Sequence, residues 1–134
     1  MIDLATVEIF ASCSASEREM IAAQLEGVER PAGATLFEQG DPGDELFLIE
    51  SGEVSITSGS AEHHVVLATL GEGACFGEMA VLTGAPRSAT ATCLSDVKLL
   101  RLQGQAYRNL ADSVPALPFA LRRLMAERTT TSDN

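Results

Sequence analysis

The sequence predicts a mainly β domain, an antiparallel sandwich or barrel, with helices at both ends. Between residues 28 and 103, short apolar and β-branched runs alternate with glycines, the spacing typical of turns in an all-β fold. On either side of this stretch, apolar residues recur at helical intervals. The 134 residues, 46% of them apolar, are enough for one domain with its own core. We therefore predict a single domain over 1–134, with helices over about 3–27, a barrel over about 28–103, helices over about 105–128 and a tail over 129–134.

The N-terminal helix has a defined start and a predicted end. Ser14 and Glu17 form a capping box, and Ser16 with Glu19 is an equally good alternative. Apolar residues then follow at near-helical spacing: Met20, Ile21, Leu25 and Val28. Gly27 is placed to end this helix in the left-handed region.

Six strands are predicted in the central stretch: Ala34–Glu38, Glu45–Glu50, Glu53–Ser58, His64–Leu70, Ala89–Cys93 and Val97–Leu102. Apolar and polar residues alternate over residues 53–57, which predicts one buried and one wet face for that strand. The segment Gly40-Asp41-Pro42-Gly43-Asp44 is a turn, because proline presets one dihedral angle and glycine supplies positive φ.

Helical patterning returns after the last strand. Residues Gln105–Asp112 form one short helix, and Pro115 and Pro118 mark a break before Phe119–Arg128. Three leucines share one face of the final segment: Leu117, Leu121 and Leu124. This face is expected either to pack on the barrel or to serve as a docking surface.

The segment 76–89 carries the chemistry of a binding site. Gly77 has no Cβ and lets the backbone approach a sugar closely, and Glu78 can accept a charge-assisted hydrogen bond from a ribose 2′-hydroxyl. Residues 78–82 are predicted to form one short helix with unpaired first amides, which favours an anion. Arg87 then offers a planar fork that matches phosphate oxygens.

These residues closely resemble the phosphate-binding cassette of the cyclic-nucleotide-binding domain family, the modules of catabolite activator protein and protein kinase A regulatory subunits. Three glycine-containing phrases also resemble the strand junctions of that family: Pro31-Ala32-Gly33, Gln39-Gly40-Asp41 and Glu50-Ser51-Gly52. The resemblance covers about residues 4–128. It implies a jelly-roll-like antiparallel β-barrel (a double-stranded β-helix) with N-terminal helices and C-terminal lid helices. It also assigns Glu78 to the ribose and Arg87 to the phosphate.

The predicted ligand-binding residues come from the cassette, from two strands and from the final helix: Phe76, Gly77, Glu78, Met79, Ala80, Arg87, Ser88, Ala89, Ile56, Leu67 and Arg128. By the resemblance, Ile56 and Leu67 wall the base pocket. Arg128 falls where relatives place a cation on the last helix, although a favourable charge near a helix C-terminus explains it equally well.

Charge and composition disfavour several other function classes. The net charge of −10 and pI near 4.5 would repel nucleic acid. No apolar run approaches the roughly 18 residues that span a bilayer, and the first ten residues do not match a secretory signal. We expect a cytoplasmic protein with no direct membrane insertion and with reduced thiols at Cys13, Cys75 and Cys93.

Catalysis and metal binding find no support in the sequence. His63 and His64 are adjacent, so on an extended segment they point to opposite faces and do not share an ion. No Ser/His/Asp or Cys/His arrangement has supporting context. We expect no enzyme activity, no catalytic cofactor and no metal.

Two functions remain as hypotheses. The first is a regulatory sensor that binds cAMP or cGMP, with cAMP favoured, and signals through movement of its last helix to a partner or a fused output domain. Ser88 leaves the choice of base open, because its hydroxyl can reach a guanine amine. The second is a ligand-free interaction or dimerisation domain of the same fold, which would bind a second copy or a protein partner through the C-terminal helix.

Overall fold

The structure, a computed structural model, describes residues 2–59 and 62–132, with side chains as far as residue 128. The described strands are β1 Glu26–Arg30, β2 Thr35–Phe37, β3 Glu45–Ser51, β4 Val54–Gly59, β5 His64–Leu70, β6 Cys75–Phe76, β7 Thr90–Cys93 and β8 Val97–Gln103. The described α-helices are α1 Ala15–Ala22, α2 Glu78–Thr83, α3 Gly104–Ser113 and α4 Ala116–Ser132, preceded by two 3-10 turns, Leu4–Thr6 and Glu8–Phe10.

The strands form two four-stranded sheets with the orders β1-β8-β3-β6 and β2-β7-β4-β5. Every pairing between the described strands is antiparallel. The predicted mainly β fold with flanking helices is therefore confirmed. All six predicted strands are present, with bounds that agree to within one residue, whereas β1 and β6 were not predicted.

The core consists of two apolar layers on opposite faces of one sheet. Successive side chains of β3 point to opposite faces, so Phe47 and Ile49 pack between the two sheets while Leu46 and Leu48 pack against the helices. All four side chains are buried. This strand reads as a continuous apolar run because its sheet is covered on both faces.

The N-terminal prediction was right about the start of the helix and wrong about its end. Ser14 Oγ accepts a hydrogen bond from the Glu17 amide at 3.1 Å, and Glu17 Oε1 accepts one from the Ser14 amide at 2.7 Å. The helix ends at Ala22 rather than at Gly27, which lies in β1 opposite Leu100. Pairing with β8 satisfies the backbone hydrogen-bonding groups of residues 26–30, so this segment forms a strand although its apolar residues have near-helical spacing.

The C-terminal prediction needs two corrections, and one alternative that it left open is decided. Helix α4 begins at Ala116, so Pro118 lies in its first turn, where the missing N–H has no intrahelical acceptor to lose. The helix continues to Ser132, beyond the predicted start of the tail at residue 129, and residues 133 and 134 lie outside the described part of the chain. The leucine face packs on the domain itself, since Leu117 and Leu121 are fully buried in the core.

One prediction about β4 was also wrong. Val54 and Ser55 are consecutive and both buried, so the strand does not divide into one dry and one wet face. Its sheet neighbours β5 and β7 flank it on both sides, and Ser55 lies opposite Thr69 and Thr92.

No helix within the described ranges has the length and apolar character that a membrane span requires.

Candidate functional site

A cavity of about 310 Å³ opens between β4, β5, the segment 76–89 and α4. All eleven residues predicted from the sequence line it: Phe76, Gly77, Glu78, Met79, Ala80, Arg87, Ser88, Ala89, Ile56, Leu67 and Arg128. Five further lining residues were not predicted: Phe37, Ala68, Leu70, Leu124 and Glu127. Of these, Leu124 had a usable signal, because it is four residues before Arg128 and shares its helix face.

Gly77 sets the geometry at the start of α2. Its φ of 86° places it in the left-handed region as the N-cap of the helix, which favours glycine. A Cβ at this position would lie 2.9 Å from Arg87 Nη1 and 3.1 Å from the Glu45 carbonyl oxygen. The glycine therefore lets the guanidinium come against the backbone and starts the helix that carries Glu78.

Glu78 is a buried carboxylate held by the last helix. Only 2% of its surface is exposed. Arg128 Nη1 donates to Glu78 Oε1 at 2.8 Å and to Oε2 at 2.7 Å, and Arg128 Nη2 donates to the carbonyl oxygen of Cys75. The ion pair joins α4 to the first residue of α2 across the cavity.

Arg87 is a buried cation with few polar contacts. It is 5% exposed, and its Nη1 donates to the Gly77 carbonyl oxygen at 3.1 Å. Its Cζ lies 4.2 Å from the centre of the Phe37 ring, and its Nε has no hydrogen-bond partner in the described part of the chain. Burial lowers the pKa of the guanidinium, and nearby carboxylates, with Glu45 first, oppose that shift.

The loop between β2 and β3 fixes the backbone of Arg87. The Arg87 amide donates to the Asp41 carbonyl oxygen at 2.8 Å, and the Arg87 carbonyl oxygen accepts from the Gly40 amide at 2.8 Å. A Cβ on Gly43 would lie 2.2 Å from Arg87 Nε, so this loop packs directly against the guanidinium. The cation is thereby confined between a loop, an aromatic ring and the start of α2.

The remaining wall is mostly apolar. Ile56 and Leu67 lie on the neighbouring strands β4 and β5, and Leu67 is 39% exposed at the rim. Ser88 is exposed, and its Oγ lies 3.4 Å from the sulfur of Met79. The cavity thus combines one buried cation, one paired carboxylate and a broad apolar surface.

Comparison with known proteins identifies this arrangement. The family model of the cyclic nucleotide-binding domain matches residues 28–114. The CRP-like cAMP-activated global transcriptional regulator of Mycobacterium tuberculosis is 31% identical over 132 residues, which are 98% of this chain and 59% of that protein. The cAMP-dependent protein kinase regulatory subunit of Aspergillus niger is 35% identical over 111 residues, 83% of this chain and 26% of that one.

The fold agrees with the sequence match. The crystal structure of Thermus thermophilus catabolite activator protein superposes with a TM-score of 0.86 at 32% identity, covering 93% of this chain and 59% of that one. The predicted jelly-roll-like architecture is thus confirmed, and the chain spans 59% of the length of this relative and of the mycobacterial regulator. This chain belongs to the cyclic nucleotide-binding domain family.

Proposed function

We propose that this chain is a regulatory sensor module that binds a cyclic nucleotide in the cavity and reports occupancy through α4. The observation that carries the proposal is Arg87. A buried cation normally has a carboxylate or phosphate partner, because an unpaired buried charge is costly. Within the described residues, Arg87 forms no ion pair, and one carbonyl oxygen and one ring are its closest partners. A bound phosphate would supply the missing anion.

Each part of a cyclic nucleotide has a matching surface. The phosphate would lie between Arg87 and the first amides of α2, whose N–H groups have no intrahelical acceptor. The ribose 2′-hydroxyl would donate to Glu78, since a carboxylate offers about four acceptor positions and Arg128 contacts it through Nη1. The base would lie on the apolar wall of the cavity, which includes Ile56 and Leu67.

We favour cAMP over cGMP as the ligand. The mycobacterial relative is named as cAMP-activated and the fungal one as cAMP-dependent. The mainly apolar wall of the cavity also suits adenine, which has fewer polar groups than guanine. The Ser88 hydroxyl is the group that would favour guanine, and without ligand it donates to the Met79 sulfur at 3.4 Å.

Helix α4 is the element that would transmit the signal. It contributes Leu124, Glu127 and Arg128 to the cavity wall, so a ligand contacts it directly. A ligand shifts a conformational equilibrium only if it binds one state better than another, and a ligand that contacts α4 would meet that condition if the helix occupied different positions in the two states. Amide exchange across α4 should slow when nucleotide binds and stay unchanged in an Arg87→Ala variant.

The central test is calorimetric titration of the purified, nucleotide-free protein with cAMP and with cGMP. We expect binding at micromolar or lower Kd, tighter for cAMP. Arg87→Ala should weaken it at least about ten-fold, because a hydrogen bond to a charged group contributes on the order of 1.5–3 kcal/mol. Arg30→Ala is the matched control, since Arg30 is exposed on β1 and bonds only to its neighbour's carbonyl oxygen among the described contacts. Absence of binding by folded wild-type protein would refute the proposal.

The ligand-free docking function has less support. It relied on the apolar face of the final helix, and Leu117 and Leu121 of that face are 1% and 0% exposed. The leucines therefore stabilise this domain and do not offer a surface to a second copy. Phe119 of the same helix is 63% exposed, and nothing in the described residues shows what would cover it.

A further inference from the structure

The hairpin formed by β4 and β5 supplies one wall of the cavity but is only partly supported by its sheet. Four of its apolar residues line the cavity: Ile56, Leu67, Ala68 and Leu70. Strand β5 lies at one end of the sheet order, and β4 pairs with β7 only as far as Thr57, which lies opposite Thr90. Beyond Thr57, the described residues of β4 and β5 pair only with each other.

A β-bulge lies where the hairpin leaves the sheet. Ile56 lies opposite Ala68, and Thr57 lies opposite Val66. Leu67 therefore has no partner of its own on β4, and this extra residue lines the cavity. A bulge bends its strand and redirects the side chain at the extra residue. Apart from residue 58, the described residues of the outer end of the hairpin (58, 59 and 62–66) are exposed, so side-chain packing does not fix its position.

Gln39 connects the outer end of the hairpin to the rest of the domain. Its Oε1 accepts a hydrogen bond from the amide of Gly59, the last residue of β4, at 2.8 Å. Its own amide donates to Thr90 Oγ1 on β7 at 2.9 Å. The strand that precedes Gln39 also pairs with β7, where Phe37 lies opposite Ala91. The backbone of Gln39 is thus anchored on β7, while its side chain reaches the hairpin.

We infer that Gln39 is a positioning residue whose bond to Gly59 holds the hairpin in place and so fixes the apolar wall on which the base of the ligand lies. Without this bond, the hairpin bends at the bulge and moves Leu67 away from the cavity. The apparent affinity then falls in proportion to the fraction of molecules with the wall in place. The inference deepens the proposed function and rests on it for the identity of the base.

The experiment measures the Kd for cAMP of wild type, Gln39→Met, Leu67→Ala and the double variant. Methionine keeps the length of the glutamine side chain and removes its amide oxygen. Gln39→Met should weaken binding about three-fold or more, the effect expected when one hydrogen bond no longer favours the binding-competent state. In the Leu67→Ala background, the same change should weaken binding less than about two-fold, because the side chain that the bulge presents is already gone.

Gln24→Met is the matched control. Gln24 is also exposed, and its side chain forms no hydrogen bond among the described contacts, so this variant should bind as wild type does. Urea unfolding checks that every variant is folded under the conditions of the titration. Wild-type affinity in Gln39→Met would overturn the inference. An equal loss in the wild-type and Leu67→Ala backgrounds would also overturn it, since Gln39 would then act by a route other than the wall.

A ligand-free measurement separates the inference from the proposed function. Amide hydrogen exchange at Gly59, resolved by NMR, should be about five-fold or more faster in Gln39→Met than in wild type, because the amide loses its acceptor. Gln39→Glu should keep the protection, since a carboxylate oxygen accepts the same bond. Equal rates in Gln39→Met and wild type overturn the inference even if the wild type binds cAMP tightly. If the wild type binds no cyclic nucleotide, the proposed function fails, and the Gly59 rates still decide whether Gln39 holds the hairpin.

Discussion

Replacing Arg128 with alanine should destabilise the fold, because it leaves Glu78 buried without a counter-charge. Two unit charges about 4 Å apart attract by about 4 kcal/mol at an effective dielectric constant of 20, and breaking a buried pair typically costs about 3–5 kcal/mol. The Arg128 side chain is 29% exposed whereas that of Glu78 is 2% exposed. Allowing for this partial screening and for the freedom that the arginine regains, we expect a loss of about 2–3 kcal/mol.

Because Glu78 is much more buried than Arg128, removing either partner should have a different effect on stability. Glu78→Gln leaves Arg128 able to reach water, so it should destabilise less than Arg128→Ala. The double variant should be more stable than Arg128→Ala alone, since a neutral amide replaces the stranded carboxylate. These differences define a double-mutant cycle between two residues in contact.

Urea unfolding of the nucleotide-free protein measures the effect. With a typical slope of about 1–3 kcal/mol per molar urea, a loss of about 2–3 kcal/mol should lower the Arg128→Ala midpoint by about 0.7–3 M. Arg122→Ala on the same helix is exposed and should stay within about 0.5 kcal/mol of wild type. Equal midpoints for Arg128→Ala and Arg122→Ala would refute the argument that the pair holds α4 on the domain.

Three further results are expected. Gly43→Ala should weaken cAMP binding, because the new Cβ would lie 2.2 Å from Arg87 Nε and must displace the guanidinium. Gly71→Ala is the control, since a Cβ there meets open space, and equal Kd values for the two variants would contradict the steric argument. Cys75 should resist thiol reagents at pH 8 in the native protein and react after unfolding, because burial first, and Glu78 second, raise the pKa of its thiol. Fast labelling of the native protein would contradict this burial of Cys75 in the core. Raising NaCl from 20 to 150 mM should leave the cAMP affinity unchanged or raise it. Salt screens the long-range repulsion from the net charge of −10 more strongly than it screens a buried contact between Arg87 and phosphate. A steep loss of affinity, measured by titration, would place the phosphate at an exposed site.

The site was predictable because its chemistry is local in the sequence. A glycine, a carboxylate, a short helix and an arginine fall within residues 76–89, and the predicted residues of this segment all line the cavity. Arg128 was predictable only through the family resemblance, because a cation near a helix end has an equally good local explanation. Its bond to Glu78 joins residues 50 positions apart.

The features that sequence reasoning missed are non-local. Strand β1 has a single buried side chain, Val28, in the pattern Glu26–Arg30, so it shows no alternation that would predict a strand. This strand forms because its backbone pairs with that of β8. Phe37 was missed for the same reason. In the sequence it has the pattern of a core residue, and its contact with Arg87 arises only because the fold brings β2 beside the segment 76–89. The predicted alternation of β4 failed because Ser55, polar in sequence, is buried within the sheet.

The distribution of charge bears on how so acidic a chain would hold the anionic ligand that we propose. The net charge of −10 works against an anionic ligand at long range, but ordinary salt screens that field beyond about 8–10 Å. At short range the burial of Arg87 matters more, since the side chain is 5% exposed and donates to one carbonyl oxygen. Two nearby acids have arginine partners of their own: Arg108 donates to Asp44, and Arg128 donates to Glu78. Arg101 lies 3.6 Å from Glu45. Three of the nine cationic side chains thus lie against carboxylates near the cavity, whereas Arg87 forms no ion pair within the described residues and is the cation that the proposed phosphate would meet.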